Sequence, residues 1–256
     1  MSASTRFSNP KFESLRSGQH RLAMGSREDL VLPIQTALRD LGFALPGGPD
    51  GTFGAQTKKA VSNFQRHAVT AWPEVSVHGE IDAPTLHALD DLSPPEGAQG
   101  QRWNVPAPHF AGRAVRVVVV KSEHRTFLYD GTGALLRIFP NAVGAKHSPT
   151  DEGLKVVWTK LDEREARNAG NKLYGQPLVF GPRILDLRWA DGRPSGEELH
   201  GTSAPHALGE DVSHGCVRHD NTDIITIYDA LAKGDLVAIV SHVNDSQLTP
   251  PTRLSI

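Results

Sequence analysis

The single cysteine of this chain lies in a run of residues that could support nucleophilic catalysis. Cys216 stands within Ser213–Arg218, which reads Ser-His-Gly-Cys-Val-Arg, and it is the only cysteine among 256 residues. His200 and His206 lie shortly upstream. A thiolate is the reactive form of cysteine, and a neighbouring imidazole can generate it. A cysteine that merely fills a core does not need His, Gly and Arg beside it, so the pattern favours a nucleophile.

Thiol chemistry on an acyl group also requires a base, a group that orients the base, and donors for the oxyanion. His214 and His200 are alternative bases: an extended chain places His214 on the side of Cys216, whereas His200 requires the chain to fold back. The N–H groups of Gly215 and Cys216 could form an oxyanion pocket, because glycine permits close backbone approach. No acidic residue is obviously placed as a third member, and a backbone carbonyl could orient the imidazole instead.

The composition narrows the class of protein. The formal net charge is −2, which gives no electrostatic footprint for nucleic acid. The longest strongly apolar run, Val117–Val120, has the length of a strand and is too short to span a bilayer. One cysteine excludes an intramolecular disulfide. The first 25 residues contain no apolar block typical of a secretory signal, so the sequence leaves the route of any export open.

A helical unit is predicted over residues 26–92, after a polar arm over residues 1–25. Apolar residues at helical spacing, ending at Gly42, are Leu30, Ile34, Ala37, Leu38 and Leu41. A second predicted helix carries Ala60, Val61 and Phe64. The third begins at Asp82, a good N-cap, with Pro84 in its first turn. The sequence therefore predicts a small three-helix module.

This helical unit resembles the peptidoglycan-binding domain 1 family. The matching residues are Gln35, Leu38, Asp50–Gly54, Thr57, Val61, Phe64, Gln65, Gly79–Asp82, Thr85 and Leu89. The resemblance implies a wall-binding site to which five residues contribute, namely Asp50, Gly51, Phe53, Gly54 and Thr57. The alternative is that these residues only form turns, which inert modules also need.

The periodicity changes from helical to extended after a proline-rich linker over residues 93–110. Alternating valines from Val115 and a hairpin turn at Asp130–Gly133 open a strand-rich domain over residues 111–242. One helix is predicted at Thr222–Ala232, and the polar stretch Asp162–Gln176 is interpreted as a flap or a surface loop. A polar tail follows over residues 243–256. The predicted fold class is α+β, with a three-helix module linked to a β-rich domain.

The cysteine motif of this β-rich domain resembles the signature of the L,D-transpeptidase catalytic domain. The matching residues are His200–Thr202, Ser213–Arg218, Asn221 and Asp223, with Gly144, Pro149, Thr150 and Gly153 upstream. The match spans about Arg113 to Val240. Asp151 stands where the family usually has a second proline.

The resemblance implies Cys216 as the nucleophile and His200 as its general base. A main-chain carbonyl at Gly201 or Thr202 would orient the His200 ring. The oxyanion hole would consist of His214 and the N–H groups of Gly215 and Cys216. The implied mechanism uses no cofactor and no metal.

The resemblance also implies residues that contact the substrate or support the loop. Arg218 would brace the site or attract a substrate carboxylate; the alternative is a plain surface ion pair. The other residues assigned to substrate contact or loop support are Ser213, Thr202, Asn221 and Tyr174.

The reaction implied by the resemblance begins on a peptidoglycan tetrapeptide stem. Cys216 attacks the carbonyl of the third residue, the terminal D-amino acid leaves, and a thioester remains. An amine of a neighbouring stem would then give a cross-link, water a trimmed tripeptide, and a free D-amino acid exchange. The expected partners are peptidoglycan stem peptides and glycan, and the expected location is the bacterial cell envelope or a secreted state.

Three alternatives stay open at this level. A zinc hydrolase could use His200, His206, His214, Cys216 and His219, although their spacing matches no zinc motif considered. A non-enzymatic wall-binding protein is disfavoured by the intact set of Cys and His. Within the enzyme class, an L,D-carboxypeptidase or a secreted antibacterial toxin that trims stems would use the same residues.

Overall fold

The computed structural model describes residues 6–43, 45, 48–93 and 104–250, and it divides into two compact units, Met1–Trp103 and Asn104–Ile256. Most of the predicted linker and the end of the predicted tail lie outside the described residues. No helix in the described ranges is both long enough and apolar enough to cross a membrane.

The first unit is helical, as the sequence predicts. Its helices are a 3₁₀ turn at Pro10–Phe12, α1 Glu13–Arg16, α2 Val31–Asp40, α3 Ala55–Ala68 and α4 Ala83–Leu92. The apolar faces of the three longer helices meet in a core where Phe43 packs edge-on against Phe64, with ring centroids 5.5 Å apart. Asp82 accepts a hydrogen bond from the backbone N–H of Thr85 and so caps α4.

Two buried glutamines repeat one structural device in this unit. The side-chain oxygen of Gln35 accepts bonds from the N–H groups of Asp50 and Gly51, and its amide donates to Asp50, Thr52 and Thr57. Gln65 repeats this pattern one helix later. Its side-chain oxygen accepts from the N–H groups of His78 and Gly79, and its amide donates to Glu80 and Thr85. Each glutamine therefore ties a glycine-containing loop to the start of the following helix. Leaving one of these buried groups without its partner would cost about 1–3 kcal/mol.

The N-terminal segment differs from the expected polar arm. Phe7, Phe12 and Leu15 are fully buried, and the rings of Phe7 and Phe12 stack edge-on at 5.1 Å. Three apolar side chains spaced through a charged stretch give no strong periodicity. They nevertheless bury enough surface to dock the short helix α1 against α4.

The second unit is built on strands. In chain order they are β1 His109–Phe110, β2 Arg113–Ala114, β3 Val117–Val120, β4 Arg125–Tyr129, β5 Leu135–Gly144, β6 Gly153–Leu161, β7 Ile184–Trp189, β8 Pro194–His200, β9 Asp211–Ser213, β10 Val217–His219, β11 Leu236–Val240 and β12 Leu248–Thr249. Nine of them form one sheet in the order β10-β8-β7-β6-β11-β3-β4-β5-β9. An additional pairing of β10 with β5 brings the two ends of the sheet together. The unit is therefore a β-rich, barrel-like domain, which confirms the predicted fold class.

The all-valine strand β3 lies at the centre of this sheet. All four valines are buried, and β3 pairs with β11 in parallel and with β4 antiparallel. A continuous apolar run is typical of a strand covered on both faces. The helix α6, Asn221–Ala230, contributes the buried side chains Ile224 and Ile227.

The stretch interpreted as a flap or loop is a regular helix, α5, at Glu163–Tyr174. Asp162 and Glu165 form a reciprocal capping box at its start, and Gly175 ends it in the left-handed conformation, with φ of 65°. The loop interpretation is therefore wrong, and the flap interpretation stays a prediction. The helix gives little apolar signal in the sequence, because it buries only Ala166 and Gly170. The expected tail also differs, since β12 pairs with β1.

Candidate active site

Parallel pairing of β8 with β10 brings the predicted base and nucleophile together. Leu199 is opposite Val217 and His200 is opposite Arg218, so the end of β8 runs beside the chain that leaves Cys216. Because side chains alternate along a strand, Gly196, Glu198 and His200 share one face. This fold-back brings His200 close to Cys216, which supports the expectation that His200 rather than His214 is the base.

The loop before Cys216 is held by Ser213. Its hydroxyl donates to the carbonyl oxygen of Cys216 and accepts from the N–H of Gly215 at 3.2 Å. Gly215 has φ of 108°, a conformation that residues with a Cβ rarely adopt. The sequence around the cysteine therefore fixes a tight turn with its backbone amides near the thiol.

His200 is oriented by the carbonyl of the next residue. Its Nδ1 lies 2.6 Å from the carbonyl oxygen of Gly201, and because a carbonyl can only accept, Nδ1 carries the proton. The ring of Phe180 packs edge-on against the imidazole at 4.9 Å. Burial, with a further contribution from the charge of Arg218, lowers the pKa of His200 to about 4. The imidazole is thus neutral at pH 7, with Nε2 free to accept a proton.

Cys216 rests as a thiol. Burial raises the pKa of Cys216 to about 12, and the negative charge of Glu198 adds to this effect. The Sγ atom lies 4.0 Å from the carbonyl oxygen of Gly196. The sulfur, one ring nitrogen of His200 and one carboxylate oxygen of Glu198 all lie within 4.8 Å of one another. The arrangement suits removal of the thiol proton during attack rather than a permanent thiolate.

These groups open into a cleft of about 330 Å³. Its lining residues are Leu173, Tyr174, Val179, Phe180, Gly196, Glu198, His200, Ser213, His214, Cys216 and Arg218. Tyr174 comes from the last turn of α5, is largely exposed and packs on Phe180 at 5.7 Å. In the described part of the chain, Arg218 forms no ion pair, which disfavours the plain salt-bridge interpretation of this residue.

Two of the residues assigned to substrate contact lie outside this cleft. Thr202 and Asn221 line a separate hollow of about 380 Å³ beside α5. The side-chain oxygen of Asn221 accepts from the N–H of Thr202 at 2.9 Å, which supports the turn after His200. His206 does not line the cleft. His219 is buried elsewhere, where its Nε2 is 2.8 Å from the hydroxyl of Thr126.

Five residues that line the cleft were not assigned from the sequence, namely Leu173, Val179, Phe180, Gly196 and Glu198. Glu198 lies two positions before His200, and the alternation of a strand could have placed it on the same face. The same alternation places Gly196, two positions before Glu198, on this face. Phe180 carries no sequence signal, because it reaches His200 from the loop after α5.

A metal ion could contact only part of the proposed zinc set. Among the described residues, the one group of three or more side chains with metal-binding atoms in reach of a common ion is Glu198, His200 and Cys216. His206, His214 and His219, which the zinc alternative requires, are not in this group. Two of the three atoms, those of His200 and Cys216, are also those that a thiol mechanism would place together.

In the helical unit, the residues assigned to wall binding divide into two sets. Asp50, Gly54 and Thr57 line a hollow of about 320 Å³, whereas Gly51 does not. Phe53 is fully buried, so its ring supports the core rather than facing a ligand. The carboxylate of Asp50 has a lowered pKa because Gln35 donates to it.

The comparisons with known proteins agree with this architecture. Residues 114–239 match the model of the YkuD family, described as the L,D-transpeptidase catalytic domain. Residues 27–71 match a family described as putative peptidoglycan binding domain. Residues 114–239 therefore belong to the L,D-transpeptidase catalytic-domain family, and both resemblances seen in the sequence are confirmed.

Individual relatives and solved structures are similar to this chain over different shares of its length. The protein named Putative L,D-transpeptidase YkuD of Bacillus licheniformis is 24% identical over 154 residues, 60% of this chain and 83% of that protein. A crystal structure of an L,D-transpeptidase from Xylanimonas cellulosilytica has a TM-score of 0.57 at 22% identity, over 85% of this chain and 96% of that one. L,D-transpeptidase 3 of Mycobacterium tuberculosis, in complex with a faropenem-derived adduct, has a TM-score of 0.38 at 22% identity, over 50% and 61% of the two chains.

Proposed function

We propose that this protein is a cysteine-dependent acyltransferase that acts on peptidoglycan stem peptides through a thioester. The observation that carries the proposal is the neutral His200, oriented by the Gly201 carbonyl, with a ring nitrogen within 4.8 Å of the sulfur of Cys216. A protonated Nδ1 leaves Nε2 as the acceptor, which is the requirement for a general base.

Acylation would begin when Nε2 of His200 takes the proton of Cys216 as Sγ attacks the carbonyl of the third stem residue. The oxyanion would be stabilised by the N–H groups of Gly215 and Cys216, with His214 beside them. Collapse of the tetrahedral intermediate breaks the amide bond, and His200 returns the proton to the departing amine of the terminal D-amino acid. The products are a thioester on Cys216 and a free D-amino acid.

Resolution of the thioester decides the biological outcome. Attack by an amine of a neighbouring stem gives a cross-link, attack by a free D-amino acid gives exchange, and attack by water gives L,D-carboxypeptidase activity. Arg218, unpaired in the described part of the chain, would hold a carboxylate of the donor. The helical unit would hold the enzyme on peptidoglycan in the bacterial cell envelope.

The decisive experiment is treatment of purified sacculi, followed by mass analysis of muropeptides. We expect tripeptides, exchanged stems or new cross-links with the wild type and none with Cys216→Ala. Sacculus binding by the same variant provides the matched control, because the helical unit is unchanged. Identical products from the wild type and Cys216→Ala would refute the thioester mechanism.

A further inference from the structure

The carboxyl of Glu198 stands beside the reacting groups, and the mechanism above does not use it. It lines the same cleft as Cys216 and His200, and one of its oxygens lies within 4.8 Å of the sulfur of Cys216 and of a ring nitrogen of His200. Across the described ranges, the Glu198 carboxyl has neither a hydrogen bond nor an ion pair.

The adjacent glutamate shows what a structural carboxylate looks like in this strand. Glu197 points to the opposite face, is buried, and bonds the ammonium of Lys155 at 2.9 Å and the N–H of Asp151 at 3.2 Å. Two consecutive glutamates therefore have different surroundings. Both carboxylate oxygens of Glu197 have partners inside the domain, whereas the carboxyl of Glu198 faces the cleft without a partner in the described ranges.

The surroundings of Glu198 keep the protonated and ionised forms of its carboxyl at similar populations near neutral pH. Asp186 is its partner across the β7–β8 pair, Cys216 and Arg218 face it from the β10 side, and His200 follows on its own strand. Burial, with the repulsion of Asp186, raises the pKa of Glu198 to about 7. A group of this kind both accepts and releases a proton near neutrality.

We infer that Glu198 binds the ammonium of the incoming acceptor and takes the first of the two protons that this amine must lose. This inference rests on the proposed thioester mechanism. An acceptor enters as R–NH₃⁺, passes one proton to the Glu198 carboxylate and attacks the thioester carbon as R–NH₂. The second proton passes through His200 to sulfur as the C–S bond breaks, and Glu198 releases its proton to solvent.

His200 cannot serve both proton transfers alone. Its neutral ring has one free nitrogen, because Nδ1 is already protonated and bonded to Gly201. That nitrogen is needed for the proton that finally returns to Cys216. Water, by contrast, arrives uncharged and loses only one proton during attack, so hydrolysis can proceed with His200 alone.

The substitution Glu198→Gln should therefore affect the two half-reactions differently. Removing the charge beside the thiol relieves one cause of its raised pKa, so acylation should stay equal or become faster. Transfer to an ammonium acceptor should fall at least about tenfold, because general-base assistance contributes about 10²–10⁴-fold. Hydrolysis should change little, so the ratio of transfer to hydrolysis should fall by a similar factor.

The test uses the full chain, a synthetic tetrapeptide stem as donor, and two acceptors. D-methionine is charged at pH 7 and needs the first proton transfer, whereas methoxyamine is uncharged and does not. Intact-mass spectra measure acylation, and product chromatography measures transfer against hydrolysis. Glu198→Asp keeps a carboxylate and should regain part of the transfer. Glu210→Gln, at an exposed position outside the cleft, is the matched control.

We expect Glu198→Gln to lose transfer to D-methionine while keeping transfer to methoxyamine. Equal losses with both acceptors would show that Glu198 only maintains the fold, and unchanged transfer to D-methionine would also overturn the inference. Failure of the proposed function is distinguishable, because the wild type would then form no acyl-enzyme with the stem donor, and the inference would be refuted with it.

Discussion

The resting state of the thiol can be tested by its reactivity as pH is changed. With the pKa of Cys216 near 12 and that of His200 near 4, both groups are neutral between about pH 5 and pH 10. The rate of reaction with a small neutral disulfide should then rise about tenfold per pH unit across this range. Each unit of pH increases the thiolate fraction tenfold.

The expected reaction rate at pH 7 follows from the same pKa of Cys216. At pH 7 the thiolate fraction of Cys216 is about 10⁻⁵, compared with about 3% for an ordinary cysteine with a pKa near 8.5. The more basic thiolate is intrinsically more nucleophilic, which raises the rate constant of the thiolate by roughly 1.5 powers of ten. Cys216 should therefore react about 10²-fold more slowly than glutathione, before any steric protection.

The assay is the release of pyridinethione from 2,2′-dithiodipyridine, with brief exposure at each pH and intact-mass spectra to confirm modification. His200→Ala separates the two possible resting states. A neutral pair predicts that this variant keeps the modification rate within a few fold, whereas stem acylation falls about 10²–10⁴-fold. A plateau of the rate near neutral pH, lost in His200→Ala, would reveal a preformed thiolate–imidazolium pair and refute the reasoning.

Three further predictions concern the fold around the site and its trapping. Glu197→Gln leaves the Lys155 ammonium buried without its anion, so it should destabilise the second unit by about 3–5 kcal/mol, seen as a lower Tm by calorimetry with Glu210→Gln as control. Gly215→Ala should cost about 1–3 kcal/mol of backbone strain, because the residue has φ of 108°. The new methyl group would meet only the carbonyl oxygen of Pro149, at 3.7 Å, so the fold should persist while the rate of acylation falls. An acylation rate equal to that of the wild type would contradict this prediction. A carbapenem should add its full mass to the wild type and nothing to Cys216→Ala, and a wild type without an adduct would argue against an accessible thiol.

The sequence predicted the parts of the site that lie within one short motif. Cys216, Gly215 and Ser213 are adjacent in the chain, and their types alone indicate a turn that presents a thiol. The proposal of His200 rather than His214 as the base rests on the pairing of β8 with β10, because this register sets His200 opposite Arg218. The family resemblance supplied that choice, whereas residue spacing alone left it open.

The features missed from the sequence share a physical cause, because their signals depend on tertiary context. Helix α5 has few apolar side chains, although the Asp162 and Glu165 pair could have indicated its start. Phe7 and Phe12 lie in a charged segment that lacks a helical period, and they gain their environment only from the completed helical unit. Phe180 contacts His200 from a loop, and no local pattern encodes such a contact.

The two charged side chains of the cleft give a physical reason to expect a zwitterionic substrate. Glu198 and Arg218 lie on paired strands, two residues apart in register, yet within the described ranges they form no ion pair with each other or with another residue. Charges that served only the fold would gain from mutual pairing, as Lys155 and Glu197 do on the opposite face. Keeping a cation and an acid apart on the same cleft costs stability, and a substrate that brings one carboxylate and one ammonium would satisfy both. An uncharged peptide would leave both groups without partners, and we expect it to be a poorer substrate for this reason.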